Sequence, residues 1–174
     1  MARVAILMGG NIGDVKRTLQ QAQQLINTRV GAVMRCSHRY KSTAWGFRAE
    51  EPFFNQALEV STDLPPHEVL DAVLQIETEL GRNRAAEQIE KASTGAPYAS
   101  RPIDIDLVFY GREVIDDERL QLPHPRLAER RFMLAPLNEI MGSFRHPVTD
   151  RSVAEMLDAL RDDDSATDET IADR

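Results

Sequence analysis

The chain has 174 residues, 42% hydrophobic and 28% charged, a globular composition with enough length to bury a core. Its formal charge is −7, but the last fourteen residues hold six acids and two bases, so the remainder is nearly neutral and offers no broad basic footprint for nucleic acid or an anionic membrane. One cysteine, Cys36, excludes an internal disulfide or a cysteine-rich zinc site, and neither an apolar membrane span nor a signal peptide is visible, so a cytoplasmic location is expected.

Arg3 to Met8 is a short apolar run that reads as a buried strand, turning at Gly9-Gly10. Asp14 caps a helix with Val15, Leu19, Ala22 and Ile26 on one face. Residues 31–40 form a polar second strand, and Ser42 to Pro52 a long loop. Phe53 to Thr62 alternates as a strand, with Phe54, Gln56, Leu58 and Val60 on one face. Pro65-Pro66 opens a helix carrying Val69, Val73, Ile76 and Leu80, which Gly81 closes. Residues 83–102 show no apolar period and are predicted to be a surface loop, of which 83–100 form a lid that orders when both substrates are bound.

Ile103 to Phe109 is a strong strand ended by Gly111; a small hairpin follows over 113–122. A helix from Pro125 to Asn138, broken late by Pro136, and a short helix from Val153 to Leu160 complete the pattern. The order predicts an α+β fold: a ferredoxin-like βαββαβ core with an antiparallel sheet and extra C-terminal helices. Residues 1–160 are expected to form one domain, and 161–174 a disordered acidic tail.

Asp104-Ile105-Asp106 is the sharpest chemical feature. Strand alternation puts both carboxylates on one face, about 6.6 Å apart. Such a pair is either a solvated acidic face or a site for a hard cation such as Mg²⁺. Arg82, Arg84, Arg101 and Arg130, with His124 between two prolines, favour a metal–polyphosphate site, because guanidinium forks suit phosphate oxygens. The P-loop and protein-kinase motifs are absent. Gly9-Gly-Asn-Ile-Gly13 misses the dinucleotide spacing and reads as a tight turn. Phe53, Phe132 and Trp45 are each core or stacking residues, Trp45 lying in a polar loop.

Five segments occur in order: Gly9-Gly-Asn-Ile-Gly-Asp14, Phe53-Phe-Asn55, Gly81-Arg-Asn-Arg84, Arg101-Pro-Ile-Asp-Ile-Asp-Leu107, and Leu122-Pro-His-Pro-Arg126 with Arg130-Arg-Phe-Met-Leu134. Over residues 3–160 the chain resembles the 6-hydroxymethyl-7,8-dihydropterin pyrophosphokinases of folate biosynthesis. The resemblance implies transfer of pyrophosphate from ATP to the pterin, releasing AMP, with two Mg²⁺ ions on Asp104 and Asp106. It implies polyphosphate contacts from Arg82, Arg101 and Arg130 with His124 beside them, and an adenosine site at Leu107 and Arg119. Asn55 is implied to read the pterin edge, Phe53 and Phe132 to stack on it, and Ser42 and Trp45 to belong to the loop that closes over it.

Ala85 and Ala86 depart from the family's lid pattern, with Tyr98 in an aromatic place on the nucleotide side and the alignment of Lys91 open. Two rivals are a nucleotide-sensing module without turnover and a metal-dependent phosphohydrolase. The intact acid pair and arginines oppose the first, and Asn55 between aromatics the second. No nucleic-acid or membrane partner is expected, and the oligomeric state is expected to be a monomer or weak homodimer.

Overall fold

The computed structural model describes residues 1–42, 52–95 and 100–160. In chain order it comprises β1 (Ala2–Gly10), α1 (Val15–Arg29), β2 (Gly31–Cys36), β3 (Tyr40–Ser42), β4 (Phe53–Thr62), α2 (Pro66–Glu79), α3 (Arg84–Thr94), β5 (Asp104–Tyr110), β6 (Ile115–Asp116), β7 (Gln121–Leu122), α4 (Arg131–Met141) and α5 (Val153–Ala159). The main sheet runs β2-β4-β1-β5, with β3 added beside β4, and its pairings are antiparallel. Helices and an antiparallel sheet make the fold α+β. Among the described residues no helix is long and apolar enough to cross a membrane.

β1 takes the middle because it is apolar on both faces. Val4, Ile6 and Met8 pack with Leu19 and Ile26 of α1 and Val69, Val73 and Ile76 of α2. Ala5 and Leu7 face the other way, against Met133, Leu134 and Leu137 of α4 and Val153 and Met156 of α5. α1 begins where the Asp14 carboxylate accepts from Arg17 N at 3.2 Å, as its capping residue type predicts.

Cross-strand register positions the site. Tyr40, Asn55, Gly9 and Asp104 are successive partners across β3, β4, β1 and β5. Directly opposed residues share a face, so these four, with Ser42, Phe53 and Asp106 two positions along, look toward the α4–α5 side.

Four expectations need correction. Gly9 and Gly10 are strand residues, not a turn. A Cβ on Gly9 would run into Oδ1 of Asn55, and one on Gly10 into the carbonyl of Pro102, so close backbone approach explains both glycines. The strand expected over 31–40 is two strands, β2 and β3, split at 37–39.

The stretch expected as a loop over 83–102 contains α3. Asn83 caps it by accepting from Ala86 N at 3.1 Å, Gly95 ends it, and its Ala- and Glu-rich sequence favours helix. No apolar period announces α3 because the residue it buries is Glu87. Lastly, 125–138 is a 3₁₀ turn at Leu127–Glu129 followed by α4, which runs on past Pro136. Burial of Met133, Leu134, Leu137 and Ile140 outweighs the hydrogen bond that the proline removes. The expected tail, residues 161–174, lies outside the described residues.

Gly10→Ala should lower stability by about 1–3 kcal/mol, the usual cost of overpacking. Urea unfolding measures it; an unchanged midpoint would show that the Pro102 backbone yields freely.

Candidate active site

β5 lies at the edge of the sheet, and side groups close its outer rim. The Glu77 carboxylate accepts from Ile105 N at 2.8 Å, while His124 N donates to the Val108 carbonyl at 2.9 Å. Glu77 is 2% exposed and also accepts from Arg82 at 2.7 Å and Arg84 at 2.8 Å. Arg82, itself only 6% exposed, donates onward to Asp104 at 2.8 Å and to both oxygens of Glu87 at 2.9 and 3.0 Å. Its donors are therefore engaged by carboxylates.

The acid pair is electrostatically unequal. Burial works to raise the Asp104 carboxyl, but Arg101 and Arg82 outweigh it and hold it below the ordinary range. Asp106 has no hydrogen-bond donor among the described residues, and burial plus the Asp104 charge push it up to about 8. Arg101 and Arg130 act on Asp106 as well, but they do not outweigh burial and the Asp104 charge. Two oxygen donors short of cationic charge fit a hard divalent ion that completes its shell with phosphate and water. Among the described residues no group of three or more His, Cys, Asp or Glu forms a self-sufficient metal cage.

A cleft of about 660 Å³ opens over this pair. Arg82, Arg101, Asp104, Asp106, Leu107, Arg119, His124 and Arg130 all line it. Of the nucleotide-side residues expected from sequence, only Tyr98 is missing, and it lies outside the described residues, as does Trp45. Leu70, Leu74 and Gln121 line the cleft as well and were not anticipated. Arg119 is held from across the cleft by Asp71 of α2.

Ser42, Phe53, Asn55 and Phe132 are outside this lining; the first three share the sheet face of the acid pair, Phe53 and Asn55 two strands away on β4 and Ser42 three strands away on β3. Two arginines span the gap. The Arg101 guanidinium lies 5.8 Å from the Phe53 ring centroid and 3.5 Å from Asp104, and Arg130 lies 5.5 Å from the Phe132 ring. Asn11 fixes Arg101: its N–H donates to the Arg101 carbonyl at 3.0 Å, its Oδ1 accepts from Arg101 N at 2.9 Å, and its Nδ2 donates to Ser100 Oγ at 3.3 Å.

Sequence reasoning missed Glu77, Glu87 and Asn11 as site residues. Glu77 did carry a signal, because it falls on the buried stripe of α2 with Val69, Val73 and Ile76, where a lone charge is anomalous. Nothing local distinguishes Asn11 or Glu87.

An arginine-lined cleft over a strand-borne carboxylate pair, on an α+β scaffold, has the chemistry that suits an enzyme of phosphoryl-group transfer. The family model for 7,8-dihydro-6-hydroxymethylpterin-pyrophosphokinase matches residues 5–142, and the chain belongs to that family. It is 38% identical over 136 residues to the 2-amino-4-hydroxy-6-hydroxymethyldihydropteridine pyrophosphokinase of Bacillus subtilis, covering 78% of this chain and 75% of that one. With the Porphyromonas gingivalis enzyme of the same name identity is 34% over 148 residues, covering 84% and 95%. The folic acid synthesis protein fol1 of Pneumocystis carinii is 35% identical over 161 residues, 92% of this chain but only 20% of that protein. A Plasmodium falciparum HPPK-DHPS with pteroate superposes with a TM-score of 0.69 at 13% identity, covering 91% of this chain and 44% of the other, and shares the fold. The chain thus spans less than half of these longer relatives.

His124 has a defined protonation state in this setting. Burial, then the Arg130 charge, lowers its pKa to about 4, and Nδ1 accepts from Arg126 N at 3.2 Å. The neutral ring therefore carries its proton on Nε2, a donor in a cleft-lining side chain. The unfolded chain, with an ordinary imidazole near 6.5, binds a proton that the folded state refuses, so stability should fall as pH drops from about 6.5 to 4. His124→Gln should flatten that slope in urea titrations; an unaltered slope would show that His124 titrates normally.

Proposed function

We infer that this cleft carries out the family's reaction, transferring the pyrophosphoryl group of ATP to the hydroxymethyl oxygen of 6-hydroxymethyl-7,8-dihydropterin, with AMP released. The family match and the pyrophosphokinase relatives support it. The observation that carries the residue assignment is the row Asn55–Gly9–Asp104. Two strand spacings separate Asn55 from Asp104 by about 10 Å, and the residue between them has no side chain, which supports Asn55 as the pterin reader.

On this reading Asp104 and Asp106 would hold the Mg²⁺, two ions by the family resemblance, and the metal would supply charge that neutralises the polyphosphate oxygens. Arg101 and Arg130 contact the phosphates from positions fixed by Asn11 and the aromatic rings. Arg82, with its donors on Glu77, Glu87 and Asp104, orients the metal carboxylate, and His124 donates through Nε2. Leu107 and Arg119 take the adenosine end. Asn55 hydrogen-bonds the pterin edge between the Phe53 and Phe132 walls, with Ser42 beside them. Such a site works by positioning and preorganised charge and needs no covalent intermediate.

The strand order β2-β4-β1-β5, with α1 and α2 on one face, supports a ferredoxin-like core. One domain over residues 1–160, acting in the cytoplasm as a monomer or weak homodimer, is consistent with the family match over 5–142.

AMP should be the nucleotide product, and it should form only with pterin present. Chromatography that finds ADP, or equal ATP loss without pterin, defeats the reading. Asp104→Asn and Asp106→Asn should each cut turnover by at least about 10²-fold, since amides bind hard cations poorly. Arg101→Ala should cost roughly 10²–10³-fold in kcat, as for one preorganised donor; a change confined to the KM for ATP would make Arg101 a ground-state contact.

A further inference from the structure

Outside the cleft, Glu139 of α4 gathers its contacts from the segment that leads into β3. Its carboxylate accepts from His38 N at 3.1 and 3.2 Å and from the Tyr40 hydroxyl at 2.6 Å, and it lies 3.0 Å from Nδ1 of His38. Burial, reinforced by the hydrogen bond to Glu139, pushes the Tyr40 phenol up, so it remains a donor. The segment being gripped is itself anchored to β4. Ser37 N donates to the Ala57 carbonyl at 2.9 Å, Ala57 N donates to Ser37 Oγ at 2.9 Å, and Gln56 Nε2 donates to the Ser37 carbonyl at 2.8 Å.

Both ends of this connection lead to the pterin side. Glu139 and Phe132 are seven residues apart on α4, two turns, so they share a helix face roughly 10 Å apart along the axis. Tyr40 stands directly opposite Asn55 across the β3–β4 pairing, and Ser42 opposite Phe53. One carboxylate therefore joins the helix bearing one aromatic wall to the strand beside the other.

We propose that Glu139 is a positioning residue for the pterin pocket, fixing the gap between Phe132 on α4 and the Phe53–Asn55 end of β4. The proposal rests on the assignment of the pterin side given above. A planar ring between two aromatic walls needs them about 7 Å apart, twice a contact distance, and a gap opened by 0.5–1 Å already forfeits a quarter to a half of each contact. Glu139 is suited to setting that spacing without bearing the fold. Its side chain is 28% exposed, so its bonds are solvent-screened. α4 keeps a second tie, Arg35 donating to the Ile140 carbonyl at 2.7 Å, and its buried apolar face. Loss of Glu139 leaves the helix docked but free to shift about that tie.

The test is calorimetric binding of 6-hydroxymethyl-7,8-dihydropterin to the full chain and three variants saturated with a non-hydrolysable ATP analogue and Mg²⁺, and separately of that analogue with Mg²⁺ alone. Glu139→Ala should raise the pterin Kd about tenfold, a lost orienting contact, and leave the analogue Kd within about twofold. Tyr40→Phe, which removes a single donor, should raise the pterin Kd about threefold, and it decides the matter if Glu139→Ala does not fold. Val153→Ala, which loosens packing between α5 and the same core, should lower the melting temperature at least as much and leave the pterin Kd unchanged. Unchanged pterin affinity in Glu139→Ala and Tyr40→Phe overturns the proposal, and so does an equal loss in Val153→Ala, which would make the effect one of stability alone. If the wild-type chain binds the analogue and no pterin, the pterin assignment fails first and the proposal falls with it.

Discussion

The buried carboxylate of Glu77 is the contact on which the rest of the site depends. It reaches from α2 to the outer rim of an edge strand and accepts from Ile105 N, the residue between the two aspartates. Without it, that buried N–H would lose its partner, at a cost of about 1–3 kcal/mol. The same carboxylate orders Arg82, which orders Asp104 and also seats α3 through Glu87. Breaking one member of so buried a cluster leaves charges stranded, at about 3–5 kcal/mol, so strand, helix and the Asp104 carboxylate are fixed together.

What Glu77 does at the rim, register does across the face. Antiparallel pairing puts Tyr40, Asn55, Gly9 and Asp104 in one line, and a slip of one residue in any strand would turn its members to the opposite face. The apolar residues of β1 resist that slip because both of its faces are buried. The core thus supplies the site's precision indirectly, by locking the register at which the polar residues emerge.

Much of this is legible in the sequence where burial has a simple period. Val4 to Met8 announces a strand, Val15-Leu19-Ala22-Ile26 a helix, and Asp104-Ile105-Asp106 a shared acidic face, because alternation is a local property. α3 is not legible by that route, since the residue it buries is a glutamate whose partner, Arg82, lies before the helix begins. Gly9-Gly10 reads as a turn when only neighbours in sequence are considered. The atoms that require glycine there belong to Asn55 and Pro102, tens of residues away. Asn11 is silent for the same reason: its three bonds go to residues 100 and 101.

The site also exists because the covering layer stops. α4 and α5 bury the rows through Ala5, Leu7 and Ala57, but α4 begins only at Arg131, and the rows of Gly9 and Phe53 continue beyond that cover. At the margin stand Arg101 over Phe53 and Arg130 over Phe132. A cation–π contact contributes about 0.5–2 kcal/mol and a charge-assisted hydrogen bond about 1.5–3, so an anion arriving in the cleft competes successfully for either guanidinium. Each arginine can turn toward phosphate while its stem stays against the ring, because the stem is apolar and the head alone is charged. On the reading proposed above, the charge in the cleft and the ring faces at its margin are therefore coupled through the same two arginines, and a shift in either is felt by both.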